Sequence, residues 1–239
     1  MLSGSPDALR GFFVTGTDTG VGKTRVACAL LRALVRSGVR AVGMKPVAAG
    51  AVRDGEGLLN DDVAELCAAS AVAAQRALVN PYCFEPAIAP HIAAKRAGVA
   101  ISAEKIIAAF GDLASTFDAV IVEGAGGFCI PLGDELDSAD LAAYLGLPVI
   151  LVVGLRLGCL NHALLTAQAI NARGLPLAGW VANHIDPHMQ AVEENISSLD
   201  RRLGAPLLAR WNYKPSAQLE IPVDRLDPGQ FGVKAAGQF

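Results

Sequence analysis

The sequence has no paired-cysteine motif, no run of basic residues and no apolar stretch long enough to cross a bilayer, and each lack closes off a class of function. Its five cysteines, Cys28, Cys67, Cys83, Cys129 and Cys159, lie far apart and are odd in number. They predict reduced thiols in a core rather than a disulfide framework or a zinc site. Lys and Arg never cluster beyond a pair and the formal net charge is −3, so there is no electrostatic footprint for nucleic acid or for an anionic membrane. Mean hydropathy is +0.40, yet the longest apolar runs, such as LPVILVVGL, fall well short of the roughly 20 residues that a spanning helix needs. They read as buried strands. The start MLSGSPDALR has no basic segment followed by an apolar core, which predicts no secretory signal and a cytoplasmic protein. Small-molecule partners are left as the expectation.

What is present is enough apolar material for one large core: 239 residues, 52% hydrophobic and only 18% charged. One α/β domain over residues 1–239 is the expectation. Short continuous apolar runs alternate with segments of three-and-four spacing. Strands are expected at Gly11 to Thr15, Arg40 to Met44, Ala119 to Glu123, Pro148 to Val153 and Leu177 to Asn183. Helices are expected at Lys23 to Ser37, Ser102 to Phe117, Leu160 to Arg173 and Met189 to Leu203. Gly38, Gly174 and Pro176 stand where helices should stop. The pattern is that of a mostly parallel, doubly wound sheet with helices on both faces. Val47 to Asn60 and Pro81 to Ala100 read as long excursions, which in compact domains are usually functional.

The chemistry starts at TGTDTGVGKT, Thr15 to Thr24. The common phosphate-loop pattern is G-x-x-x-x-G-K-[ST], but Thr17 stands where its first glycine should be. Starting from Gly16 restores the glycine and lengthens the loop by one residue. A strand end, small residues and then Gly22, Lys23 and Thr24 opening a helix still provide backbone N–H groups and a helix dipole for phosphate. Lys23 would neutralise β and γ oxygens, and the Thr24 hydroxyl would face Mg²⁺. The expected fold is therefore of the P-loop NTPase type, with ATP and Mg²⁺ as ligands.

A hard cation calls for carboxylate help. Glu123 ends a strand before the glycine-rich GAGG, at the carboxyl edge where open α/β sheets bind ligands. Asp61 and Asp62 begin a predicted helix, where spacing alone favours ordinary capping over metal binding. Lys45 ends the second strand, and Pro46 stops that strand from running straight into a helix. On position alone, a solvated charge and a fixed cation near the γ-phosphate both remain open for it.

The segments TGTDTGVGKT, MKPVAAG, NPYCFEPAIAPHIAA, VEGAGGF, LPVILVVGLRLGCLNHALLTAQAI and LAGWVAN follow one another in the order found in a single family. The chain resembles the ATP-dependent dethiobiotin synthetases over most of Gly11 to Asn183. That resemblance implies ureido ring closure from 7,8-diaminononanoate, CO₂ and ATP, through a carbamate and its mixed anhydride with phosphate, in biotin biosynthesis. It implies nucleotide contacts at Gly20, Val21, Gly22, Lys23, Thr24 and Arg25, at Gly124, Ala125 and Gly126 after Glu123, and at Asn183 and His184 beside the base. It implies Mg²⁺ at Thr24, Asp62 and Glu123, reversing the capping preference for Asp62. It assigns Lys45 to the carbamate and the transferring phosphoryl group, with Lys23 and Thr19 beside them. Gly158, Cys159 and Asn161 would receive the substrate carboxylate, at a site completed across a homodimer.

Two places depart from the family. Ala49 stands where a serine is common, and after Leu207 and Leu208 the chain reads ARWNYKPS where a glycine and an Ile-Pro pair are usual in a loop near the base. Trp211 or Tyr213 could stack on adenine there, although loop aromatics more often pack. His91 and His162 read as packed histidines rather than ligands. The rival reading is an assembly-switch ATPase of the same superfamily, but such proteins carry a second lysine early in the loop, where this chain has Thr17, Asp18 and Thr19.

Overall fold

The computed structural model describes residues 11–55 and 57–213; the MLSGSPDALR start and the tail after Tyr213 lie outside the described residues. The chain begins with β1 (Gly11–Gly16), α1 (Lys23–Arg36), β2 (Ala41–Met44), β3 (Val47–Ala49), β4 (Val52–Asp54) and β5 (Gly57–Leu59). It continues with α2 (Asp61–Ala69), α3 (Arg76–Val79), β6 (Tyr82–Phe84), α4 (Pro90–Arg96), α5 (Ala103–Thr116) and β7 (Ala119–Glu123). The last third holds α6 (Ser138–Leu145), β8 (Val149–Leu155), α7 (Cys159–Ala172), β9 (Leu177–His184), α8 (Val192–Leu203) and β10 (Leu207–Trp211).

Six strands form one sheet in the order β10-β9-β8-β1-β7-β2, and every neighbouring pair is parallel. Alternation within each strand sends side chains to both faces. Phe12 and Val14 pack with Leu30 and Leu31 of α1 and Leu66 of α2 on one face. Phe13, Val120 and Val122 pack with Ile106 and Phe110 of α5 and Leu141 of α6 on the other, where Leu151 and Val153 also meet Ala163 of α7 and Leu199 of α8. Each such buried aliphatic or aromatic side chain stabilises the fold by about 1.5–3 kcal/mol relative to exposure. This is the doubly wound architecture expected from the alternation of runs. β1 lies between β7 and β8, so its end faces the crevice where chain direction across the sheet reverses, the usual ligand position in such sheets.

The predicted strands and helices all form, with ends displaced by a few residues. The helix expected from Met189 begins at Val192, because Asp186 first makes a turn: its carboxylate accepts from the His188 N–H and its carbonyl from the Met189 N–H. The two excursions carry structure of their own. The first holds β3 and the β4–β5 hairpin, and the second holds β6 and α4. Of the ARWNYKPS segment expected as a loop after Leu208, Ala209 to Trp211 belong to the edge strand β10, paired with β9, and the part after Tyr213 lies outside the described residues. The outward positions of β10 are only partly covered, so Ala209 and Arg210 hide the strand signal. No helix among the described residues is long and apolar enough to cross a membrane.

Candidate functional site

The loop from Thr17 to Gly22 joins β1 to α1, and Gly22 is the N-cap of α1 at φ 94°, with no side chain capping the helix. Only glycine takes that conformation at low cost, and a Cβ there would also meet the Asn183 amide nitrogen at 2.5 Å. The first-turn N–H groups of α1 are therefore left for a ligand, and no acidic side chain stands in that turn to repel an anion. Lys23 is buried and curls back so that its Nζ donates to the Asp18 carbonyl at 2.9 Å.

Four groups meet beneath the loop. Thr24 Oγ1 lies 2.8 Å from Asp62 Oδ1 and 3.0 Å from Glu123 Oε1. Lys45 Nζ lies 2.8 Å from Asp62 Oδ2 and 2.5 Å from Glu123 Oε1. Lys45 and Glu123 are almost fully buried, and Asp62 is partly open. Spacing alone favoured a capping role for Asp61 and Asp62, but Asn60 fills it: its side chain accepts from the Asp62 N–H at 3.1 Å. That leaves the Asp62 carboxylate free to turn into the site.

Charge is strongly redistributed here. Burial and the charge of Lys45 push Lys23 down to about 8. Burial works against the charge on Lys45, but Glu123 and Asp62 outweigh it and hold the ammonium above the usual lysine value. Asp62 is also opposed by burial, yet Lys45 and the Thr24 hydroxyl bring it below the ordinary carboxylate value. Burial lifts Glu123 above that value despite its contact with Lys45.

The oxygen groups fit a hard divalent cation. Glu123 Oε2 is buried with no hydrogen-bond partner among the described residues, and a lone pair held dry in that way calls for a cation or a donor. Thr24, Asp62 and Glu123 supply only oxygen.

The segment after β7 closes one side of the loop: the Gly124 N–H donates to the Val14 carbonyl at 3.0 Å, and Gly126 comes close to the Thr19 hydroxyl. Ala125 lies between them. On the other side, a cleft of about 220 Å³ is lined by Gly20, Gly22, Arg25, Asn183, His184 and Tyr213, among others. Asn183 Nδ2 donates to the Val21 carbonyl at 2.7 Å, so this residue pins the loop as well as facing the cleft. Tyr213 meets the His184 ring edge-on at 6.2 Å. Trp211 does not face the cleft; it is buried with Leu208 and Phe12, because its position in β10 points it into the core. At the end of β8, Gly158 caps α7 at φ 95° without a side-chain cap, Cys159 is buried and Asn161 is exposed.

The sequence reading missed Arg156. Its guanidinium donates to Asp18 at 2.5 Å, a contact that no spacing rule relates across 138 residues. Asn60 was missed as well, although an Asn directly before a helical run is a recognised cap signal.

A family model described as an AAA domain matches residues 10–219. An ATP-dependent dethiobiotin synthetase of Aromatoleum aromaticum is 58% identical over 199 residues, covering 83% of this chain and 88% of that protein. One of Nitrosospira multiformis is 53% identical over 226 residues, covering 95% of this chain and 98% of that protein. This chain belongs to the ATP-dependent dethiobiotin synthetase family. Among solved structures, a ParA family ATPase of Chlorobium tepidum superposes with a TM-score of 0.51 at 17% identity, over 95% of this chain and 93% of that one. The MinC:MinD cell division complex of Aquifex aeolicus gives 0.51 at 13% identity, over 92% of this chain and 86% of that one. At such identity these two matches speak for the P-loop fold alone.

Proposed function

We propose that the protein is an ATP- and Mg²⁺-dependent dethiobiotin synthetase of the cytoplasm, closing the ureido ring of dethiobiotin from 7,8-diaminononanoate and CO₂ in biotin biosynthesis. The observation that carries this reading is the buried Lys45 ammonium fixed by two carboxylates beneath a phosphate loop. Family membership supplies the substrates.

One substrate amine adds to CO₂ and loses a proton, giving a carbamate. A carbamate oxygen then attacks the γ-phosphorus and ADP leaves. The second amine attacks the carbamate carbon and loses a proton, and phosphate departs with the oxygen that had attacked it. Bound at Thr24, Asp62 and Glu123, Mg²⁺ would neutralise and orient phosphate oxygens.

This chain's residues supply charge and position. Lys45 is held above the usual lysine value, so it remains a cation and serves as a fixed positive charge for the carbamate and the moving phosphoryl group rather than as a proton acceptor. Lys23 and the free N–H groups of α1 hold the β and γ phosphates, and Gly124 to Gly126 close the loop's flank. Thr19, exposed on the loop, faces the diamine. Arg25, Asn183 and His184 border the space for the base, with Tyr213 as a further wall. Gly158, Cys159 and Asn161 form the turn at the N-terminus of α7 that receives the carboxylate, with the Cys159 N–H already held by the Arg156 carbonyl.

A homodimer belongs to the proposal. Leu157, 94% exposed, stands just before α7, and Leu165 is exposed one turn beyond Asn161. A second copy would cover this face and close the carboxylate end of the site.

Oxygen tracing tests the reaction. With C¹⁸O₂ supplied in unlabelled water, the phosphate released should carry one ¹⁸O from carbon. Phosphate free of label under conditions where CO₂ keeps its own would contradict the carbamate route.

A further inference from the structure

Both peptide groups of Lys45 are held by the end of α3. The register of β2 with β7 ends at Met44 and Val122, and β2 is the outermost strand on its side of the sheet. Lys45 therefore stands just past the ladder, at an edge, and Pro46 after it has no N–H to donate. The Lys45 N–H donates to the Val79 carbonyl at 2.8 Å, and the Lys45 carbonyl accepts from Asn80 Nδ2 at 2.6 Å.

Asn80 is itself fixed on several sides. It is the C-cap of α3, where its N–H donates to the Arg76 carbonyl at 2.8 Å, and its Nδ2 donates a second time, to the Tyr82 carbonyl at 2.9 Å. Both side-chain partners are carbonyls, which only accept, so the amide nitrogen and not its oxygen must lie at that end. The Tyr82 N–H in turn donates to the Pro46 carbonyl at 3.1 Å, so Lys45 and Pro46 are both laid along the same short turn. Asn80 is buried, at 8% exposure.

The Lys45 ammonium is pinned between Asp62 and Glu123, and the reach of its side chain to that point starts from a backbone that Asn80 holds. Without Asn80 the ammonium could still pair with the carboxylates, but from a peptide tied through its N–H alone. We propose that Asn80 is a positioning residue for the reaction: it fixes the Lys45 backbone so that the ammonium meets the moving phosphoryl group in the transition state. The inference rests on the reading above, in which Lys45 is the fixed cation. A misplacement of about 1 Å can cost about a hundredfold in rate. An interaction made in the transition state is lost from the rate and not from binding.

The test compares wild type with Asn80→Ala, Lys45→Ala, the double variant and Ile106→Val. The last is a core change on α5 that costs stability in the same packed layer and leaves both Lys45 peptide contacts in place. Three readouts are taken: the saturating single-turnover rate of phosphate release, the diamine concentration that gives half of it, and ATP affinity by direct titration. Asn80→Ala should slow release by roughly tenfold to a hundredfold with the other two readouts within about twofold, and Ile106→Val should slow it by less than about twofold. The double variant should be no slower than Lys45→Ala, because a residue that acts through Lys45 then has nothing left to act on. Should Asn80→Ala not fold, Asn80→Ser keeps one donor and takes its place, with the same pattern and a smaller loss. An unchanged rate in the Asn80 variant, equal slowing in Ile106→Val, or losses that multiply in the double variant would each overturn the positioning role and leave the reading of Lys45 intact. If Lys45→Ala turns over like wild type, the reading of Lys45 itself fails and takes the role of Asn80 with it.

Discussion

Lys45 is tied to two carboxylates, and Lys23 to a backbone carbonyl of its own loop, so two neighbouring ammonium groups behave differently. Lys45 has its counter-charges built in and stays protonated. Lys23 has none in direct contact, and burial beside Lys45 brings it to about 8. Phosphate oxygens would supply the missing counter-charge and raise that value in the complex, so nucleotide binding must take up a proton wherever free Lys23 has lost its own. The sign follows: below pH 8 the free protein is already charged and affinity is flat, whereas above it each pH unit should weaken ATP binding by up to roughly tenfold. A titration of nucleotide affinity from about pH 6.5 to about 9.5 measures this. A flat profile across the whole range would mean that Lys23 keeps its proton in the free protein.

At the scale of elements, the start of α2 decides whether Asp62 reaches the site. Asn60 caps the helix and also donates to the carbonyls of Ala49 and Gly50 at 3.2 and 3.3 Å, so it ties the end of β3 to the helix that carries Asp62. Asn60→Ala should destabilise the fold by about 1–2 kcal/mol, the cost of a lost cap, and should weaken Mg²⁺-dependent ATP binding more than metal-free binding. Denaturant unfolding together with titrations with and without Mg²⁺ gives both readouts, and equal weakening in the two titrations would detach Asn60 from the cation site. The same element shows where sequence reading stops. Strand ends at Glu123 and Lys45 were legible because continuous apolar runs in a parallel sheet lead to its carboxyl edge. Asp62 was not legible as a site residue from spacing, since an acid at a helix start fits capping equally well and the cap signal of Asn60 went unread. β10 was hidden because an edge strand needs one covered face only, and its Arg210 breaks the apolar run. Arg156 escaped because its partner is distant in sequence and a lone arginine after a strand carries no pattern.

For the whole molecule, the parallel sheet brings the ends of β1, β2, β7 and β8 to one edge, and the phosphate loop, Lys45, Glu123 and the turn into α7 all lie on it. The solved neighbours share the P-loop fold alone, so the reaction must be read from which small molecules the protein needs. The most direct measurement is phosphate release from ATP with 7,8-diaminononanoate, bicarbonate and Mg²⁺ each omitted in turn, run beside Lys45→Ala. Release should need all three together and yield dethiobiotin in equal amount, and Lys45→Ala should bind ATP yet lose at least about a hundredfold in turnover. Hydrolysis that is indifferent to the diamine, or that responds instead to DNA or a protein partner, would contradict the account.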